Sequence, residues 1–229
     1  MNIVYAMTHH VYEQILPSMR SLKEHNPETR VFILAEHDEL PFDLPMDAEI
    51  INVSGQKWFP EEGINYHNAF KYINLLKVRY PSILKVDRVI HLDTDTIVCD
   101  DLTPFWETNV EGKWFAACVE RHGSYRPFGE TYYNMGVALI NLAQMRKDEI
   151  EQPMQNYLNG KWQPYADQDA WNKYAIEQDK AVALDVRWNE SRPTGCTSHP
   201  GIVHYCGIKD WFTRFDMFRV NFLNQYRKE

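Results

Sequence analysis

The chain opens on a short, mostly apolar run, Asn2 to Met7, which suits a strand covered on both faces. After it, Tyr12, Ile15, Leu16, Met19 and Leu22 fall on one helical stripe, and Asn26-Pro27 stops that helix. Arg30 to Ala35 (RVFILA) reads as a second strand and Glu49 to Val53 (EIINV) as a third, weaker one. Residues 54–63 (SGQKWFPEEG) read as a loop. Ala69, Phe70, Ile73, Leu76 and Lys77 then lie at helical spacing, with Tyr80-Pro81 as the expected stop. Arg88 to Leu92 (RVIHL) is a strand that runs straight into Asp93-Thr94-Asp95.

This alternation predicts an α/β fold with a largely parallel sheet. In such sheets ligands bind at the carboxyl ends of strands, near a switch in strand order, and the Asp pair sits at such an end. The second half is less regular. Residues 114–119 and 135–141 are strand-like around a loop at 121–131. Helices are expected from about 143 to 158 and from about 167 to 177. Residues 185–229 are loop-rich and aromatic, closing with a short helix. No repeat or low-complexity segment appears, and 229 residues favour one domain over 1–229.

Composition is that of a soluble globular protein, with 44% hydrophobic and 24% charged residues. The 7 Trp and 13 Tyr supply flat rings that pack on sugar C–H faces or simply enlarge the core. A formal net charge of −8 argues against nucleic acid or anionic lipid as partner. No run of about 18 apolar residues is present, so no membrane insertion is expected. The start lacks the features of a signal peptide. Cys99, Cys118, Cys196 and Cys206 form no metal-finger spacing, and they are expected as reduced thiols in a cytoplasmic protein.

Chemistry concentrates in a few places. In HLDTDTIV (residues 91–98), side chains two apart on an extended backbone point the same way, so Asp93 and Asp95 converge while Thr94 points elsewhere. Two buried carboxylates repel unless a cation lies between them, and a divalent ion with open positions for diphosphate oxygens meets that need. The plain alternative is an Asx turn. In HYCGIKDW (residues 204–211), His204 is a potential metal ligand and Lys209 a phosphate cation, with Gly207 allowing close backbone approach. Imidazole beside two carboxylates favours Mn²⁺ over Mg²⁺. In YYNMGVALINL (residues 132–142), Asn134 offers hydrogen bonds to sugar hydroxyls and Gly136 leaves room for a ligand. Asp167-Gln168-Asp169 opens a helix, where Asp also serves as a cap.

Together these motifs resemble glycosyltransferase family 8, the glycogenin and bacterial lipopolysaccharide galactosyl/glucosyltransferase group. The resemblance runs from Ile3 to Trp211 and rests on the order and spacing of the motifs. It implies a GT-A fold, Rossmann-like, with a nucleotide-binding half (1–100) and a donor-sugar and acceptor half (101–229). It implies a retaining, Mn²⁺-dependent hexosyltransferase, with Mg²⁺ as a possible substitute. The donor is UDP-glucose or UDP-galactose, and the acceptor a saccharide or other hydroxyl compound. By that resemblance Ala6, Thr8 and Tyr12 occupy the stretch that contacts uridine. Lys77, with Lys71 as rival, matches the basic residue ahead of the strand that carries the Asp pair. Asp93, Asp95 and His204 match the metal ligands, and Asn134 a donor-sugar contact. Asp167 and Gln168 match the pair beside the reacting sugar, and Gly207 and Lys209 the diphosphate-holding segment.

Two departures stand out. His9 and His10 take the place of the usual Asn or Asp, and Lys209-Asp210-Trp211 replaces Lys-Pro-Trp. Lysine and metal stabilise charge on the leaving diphosphate, while Asp167 or Gln168 faces an oxocarbenium-like carbon. Either a protein group attacks first or the acceptor enters on the leaving-group face. The loop 121–129 is expected on the acceptor side through Tyr125 and Arg126, with Trp188 and Trp211 as walls. The rival readings are a nucleotidyltransferase acting on sugar phosphates, which would need a Gly-rich phosphate loop after the first strand, and a catalytically silent nucleotide-sugar-binding protein.

Overall fold

The structure is a computed structural model, describing residues 1–68, 71–121, 127–129, 131–191 and 197–207. The strands are β1 (Asn2–Ala6), β2 (Arg30–Ala35), β3 (Ala48–Asn52), β4 (Arg88–Leu92), β5 (Thr96–Val98), β6 (Phe115–Val119), β7 (Tyr133–Asn141), β8 (Ala181–Ala183), β9 (Glu190–Ser191) and β10 (Ile202–His204). The helices are α1 (Ile15–His25), α2 (Lys71–Leu75), α3 (Tyr80–Ile83), α4 (Thr103–Trp106), α5 (Leu142–Lys147), α6 (Glu151–Gly160) and α7 (Asp167–Glu177). Three 3-10 segments add His9–Gln14, Leu76–Arg79 and Val186–Asn189.

Seven strands form one sheet in the order β3-β2-β1-β4-β7-β6-β8. The first four pair in parallel, β7 runs antiparallel to both neighbours, and β8 is parallel to β6. Alternate residues explain why these strands are apolar throughout. On β1, Ile3 and Tyr5 face a core shared with α1, while Val4 and Ala6 face one shared with α2, α3 and α5 to α7. β2 divides the same way, Val31, Ile33 and Ala35 against Phe32 and Leu34. A sheet covered on both faces has no solvent side on which a polar residue gains anything.

A three-stranded sheet, β5-β10-β9, lies beside the main one. Its strands have two or three residues each, too short for a periodic signal. Other differences have local causes. The helix expected over 143–158 is two helices, interrupted where Glu149 takes a left-handed φ of 50°. Tyr80-Pro81 starts a helical turn instead of stopping one, because proline is tolerated where no intrahelical N–H is needed. Ala69, Phe70 and the closing helix lie outside the described residues. Cys99, Cys118 and Cys206 form no disulfide among the described residues, and Cys196 lies outside them. Among the described residues no helix is long and apolar enough to cross a membrane.

The strand order reverses between β1 and β4, so a crevice opens at the carboxyl ends of these two strands. Asp93 follows β4 directly. Its N–H donates to the Gly136 carbonyl at 2.7 Å, extending the β4–β7 ladder by one rung and binding the two segments together.

Candidate active site

Asp93 is the hub. Its Oδ1 accepts from Lys77 Nζ at 2.8 Å and lies 2.9 Å from His91 Nε2. The other ring nitrogen of His91 is 3.0 Å from the Tyr80 hydroxyl. Burial would raise the Asp93 carboxyl, but Lys77, His91 and His204 outweigh it and hold the group well below the usual carboxylate range. Burial, aided by Lys77, pushes His91 down to about 4, so at neutral pH it is an uncharged hydrogen-bonding group. Lys77 is itself buried, which would lower it, yet Asp93 and Asp167 raise it. The clue to His91 was available in the sequence: it precedes Asp93 by two at the end of a strand, and extended residues two apart face the same way.

Asp95 reaches the same point by a turn and not by extended backbone. Residues 94–95 turn between β4 and β5, and the Asp95 carbonyl accepts from Tyr205 N–H at 2.9 Å as the chain leaves β10. That pairing brings in His204, at the end of β10 opposite Thr96. His204 Nε2 lies 3.2 Å from Asp95 Oδ1 and 3.7 Å from Asp93 Oδ2. The three ligand atoms lie within 4.8 Å of one another. His204 Nε2 is buried and makes no well-aligned hydrogen bond, so a nitrogen aimed between two carboxylates is left for a cation or a proton. Burial would lower the His204 imidazole, but Asp95 and Asp93 raise it. Two oxygens and one imidazole fit a divalent cation of borderline hardness.

Gly136 makes this convergence possible. A Cβ there would lie 2.2 Å from His204 Cε1 and 2.6 Å from Asp93 Oδ2. The room its missing side chain leaves is thus already taken by the triad.

Two clefts meet at the triad, sharing Asn74, Asp93, His204, Cys206 and Gly207. One is lined by Ala6, Thr8, His10 and Val11 after β1, with Thr94, Asp95 and Lys71. The other is lined by Lys77, Glu120, Asn134, Gly136, Tyr165, Asp167 and Gln168. Gly207, at φ 68°, turns the chain between them in the left-handed region that glycine adopts without strain. Asp167 opens α7 and does not cap it; its Oδ2 is buried without a hydrogen bond, 4.0 Å from Lys77 Nζ. Burial pushes its carboxyl up to about 7, Lys77 opposing and Asp93 adding to the rise. Gln168 Oε1 accepts from Met135 N–H at 2.9 Å. Ala166, just before, is held at φ 51°, a strained conformation for a residue with a Cβ.

Some expected residues lie elsewhere. Tyr12 is buried, its hydroxyl accepting from Glu36 N–H at 3.2 Å, and His10 and Val11 line the cleft in its stead. Trp188 stacks on Phe105 in the core, with centroids 5.4 Å apart, and walls neither cleft. Of the rival lysines, Lys77 contacts Asp93 and Lys71 lines the other cleft. Lys209, Trp211, Tyr125 and Arg126 lie outside the described residues. Glu120 and Asn189 escaped the sequence reading because nothing in their neighbourhoods marks them.

A mostly parallel sheet with an Asp/Asp/His cluster at its switch point and a cleft on either side is the GT-A architecture of nucleotide-sugar enzymes. Within that class, the chain belongs to glycosyl transferase family 8, whose model matches residues 2–214. It is 25% identical over 223 residues to the glycosyltransferase GlyA of Streptococcus pneumoniae, covering 89% of this chain and 31% of that protein. It is 26% identical over 183 residues to general stress protein A of Bacillus subtilis, covering 64% and 63%. The chain therefore spans less than a third of the first relative's length and less than two thirds of the second's. Among solved structures it is similar to the galactosyltransferase LgtC in complex with donor and acceptor sugar analogs (TM-score 0.73, 20% identity, 99% of this chain and 95% of that one). It is also similar to the glycosyltransferase GlyE of Streptococcus pneumoniae TIGR4 (TM-score 0.73, 20% identity, 100% and 60%). The GT-A fold follows from that likeness.

Proposed function

We propose that this chain is a retaining glycosyltransferase that moves glucose or galactose from UDP to a hydroxyl of an acceptor, a saccharide by preference, with Mn²⁺ held by Asp93, Asp95 and His204. The observation that carries the reading is the convergence of these three ligands where two clefts meet. A nucleoside diphosphate sugar laid across the junction would set its base end by Ala6, Thr8 and His10. Its diphosphate would lie at the triad and its sugar toward Asp167 and Gln168. When bound, the cation supplies positive charge against the charge that builds on the leaving diphosphate.

The protein's own share lies on the sugar side. Breaking the anomeric C–O bond leaves positive charge on the ring carbon. Asp167 is the group suited to meet it, because its buried oxygen has no competing partner. Gln168 has its amide oxygen tied to Met135 N–H, which fixes the side chain and favours the amide nitrogen as the donor to a sugar hydroxyl. Lys77 holds Asp93 in place and offsets the negative charge between Asp93 and Asp167.

The test is UDP release from UDP-glucose or UDP-galactose without acceptor, in Mn²⁺. Slow release is expected, with loss in EDTA and restoration by Mn²⁺ better than by Ca²⁺. No release from either sugar, with pyrophosphate formed instead from a nucleoside triphosphate, would point to nucleotidyl transfer and overturn the reading.

A further inference from the structure

His204 is held from behind by a chain of side chains outside the Asp/Asp/His triad. Its Nδ1 lies 3.1 Å from Asn189 Oδ1. Asn189 Nδ2 donates to Asn134 Oδ1 at 2.9 Å, and Asn134 Nδ2 donates to Glu120 Oε2 at 2.7 Å. Asn134 Oδ1 also accepts from the Gly136 backbone N–H at 3.0 Å. Asn134, Asn189 and His204 are all buried.

The direction of this chain is not a matter of choice. An amide can be turned over, and an imidazole can carry its proton on either nitrogen. The backbone N–H of Gly136 can only donate, and the Glu120 carboxylate, when ionised, can only accept. Between them they orient Asn134 with its oxygen toward Gly136 and its nitrogen toward Glu120. Asn189 must then present its nitrogen to that oxygen, which leaves its own oxygen facing His204 Nδ1. An oxygen there requires a proton on Nδ1, and neutral imidazole with Nδ1–H has a bare Nε2. That bare nitrogen is the atom facing Asp93 and Asp95.

We infer that Gly136, Asn134 and Asn189, anchored on Glu120, form a one-way hydrogen-bond relay that holds His204 in the tautomer able to ligate a cation, with Asn189 as the positioning residue. The inference rests on the metal reading above and deepens it. It also changes the role of Asn134, whose oxygen and one amide hydrogen serve the relay, so that its reach toward a donor sugar is secondary. Outer partners of this kind commonly govern metal affinity by about 10- to 100-fold.

The test separates the two readings. Mn²⁺ affinity is measured by calorimetry on wild type, Asp95→Ala, Asn189→Leu, Asn189→Asp and Glu120→Gln. The His204 ring is read by ¹⁵N NMR of the metal-free protein at alkaline pH, where imidazole is neutral. Wild type is expected to show the Nδ1–H form. Asn189→Leu, of similar volume, should lose that preference and about 10-fold or more in affinity. Asn189→Asp keeps an acceptor for Nδ1–H but loses the donor to Asn134 Oδ1, so it should restore the Nδ1–H form and recover part of the affinity lost in Asn189→Leu. Glu120→Gln keeps an acceptor for Asn134 and should also stay close to wild type. Loss in Asn189→Leu with rescue in Asn189→Asp supports the relay over a merely structural role. An Nε2–H wild-type ring would overturn it. So would unchanged Mn²⁺ affinity in Asn189→Leu while Asp95→Ala abolishes binding. Undiminished binding in Asp95→Ala would instead sink the metal reading itself.

Discussion

The chain carries the same triplet pattern twice, Asp93-Thr94-Asp95 and Asp167-Gln168-Asp169, and the backbone gives the two opposite meanings. Between strands, the first pair closes on one point with His204. On α7, residues two apart are separated by about 200° around the axis, so the second pair diverges. Asp167 faces the cleft and Lys77, with one oxygen unpartnered. Asp169 turns to the core, accepting from the Tyr132 hydroxyl at 2.6 Å and from Tyr165 N–H at 2.9 Å. Of four similarly spaced carboxylates, three thus serve the candidate site and one anchors the helix that presents the third. Spacing carries chemical meaning only through the periodicity of the backbone beneath it.

The sharpest way to break the comparison is Asp95→Ala. It should remove Mn²⁺ binding and lower kcat/KM by about 10³-fold, since charge on the leaving group loses its main counter-charge. Full turnover of this variant in EDTA would falsify the cation's role. Gly136→Ala tests whether convergence depends on the missing side chain. With a Cβ 2.2 Å from His204 Cε1, the ring must shift, and kcat/KM is expected to fall about 10²-fold or more. A crystal structure with the ring unmoved and activity intact would show that the close approach is dispensable.

Asp167→Asn addresses the second triplet. On the proposed reading, in which the residue meets the sugar carbon and not the cation, turnover should drop about 10²-fold with Mn²⁺ affinity unchanged. Its stability signature has a definite sign. The folded carboxyl, pushed up to about 7 by burial, holds its proton more tightly than the unfolded chain does, at about 4. That favourable contribution is complete below about pH 4 and is lost as pH rises toward about 7. Metal-free Asp167→Asn escapes the loss, so its Tm should exceed wild type at pH 8 and converge with it near pH 4. An offset that does not vary with pH would rule out Asp167 as the titrating group. The smallest catalytic effect is expected for Asp169→Ala, which removes the acceptor of the Tyr132 hydroxyl and Tyr165 N–H bonds. Unfolding stability should fall by about 3 kcal/mol, while Mn²⁺ affinity holds and kcat moves no more than about threefold. A loss of metal binding would mean that both triplets serve the cation.

Legibility followed local signal strength. β2, β4 and α7 fall at the ends predicted from apolar runs and the Asp opening, because burial on both faces or one stripe dictates the residue pattern directly. The second sheet was illegible, since strands of two or three residues have no period, and they exist only because β10 returns to β5. Glu149 looks like any helical glutamate, so the break between α5 and α6 left no mark. Trp188 illustrates the reverse error. It was expected as a wall of the acceptor side, and it is held in the core.

The residue order alone determined the α/β alternation, the strand end that carries Asp93, and the types of group offered as ligands, because these depend on neighbours within a few residues. Tertiary structure decided which groups meet. His204 lies 109 positions beyond Asp95, and only the β5–β10 pairing makes them neighbours. The β4–β7 ladder puts Gly136 where a side chain would block them. The imidazole tautomer is more distant still from anything local. It is set by a backbone N–H on β7, two amides and a carboxylate, each meaningful only once burial removes the water that would otherwise satisfy them.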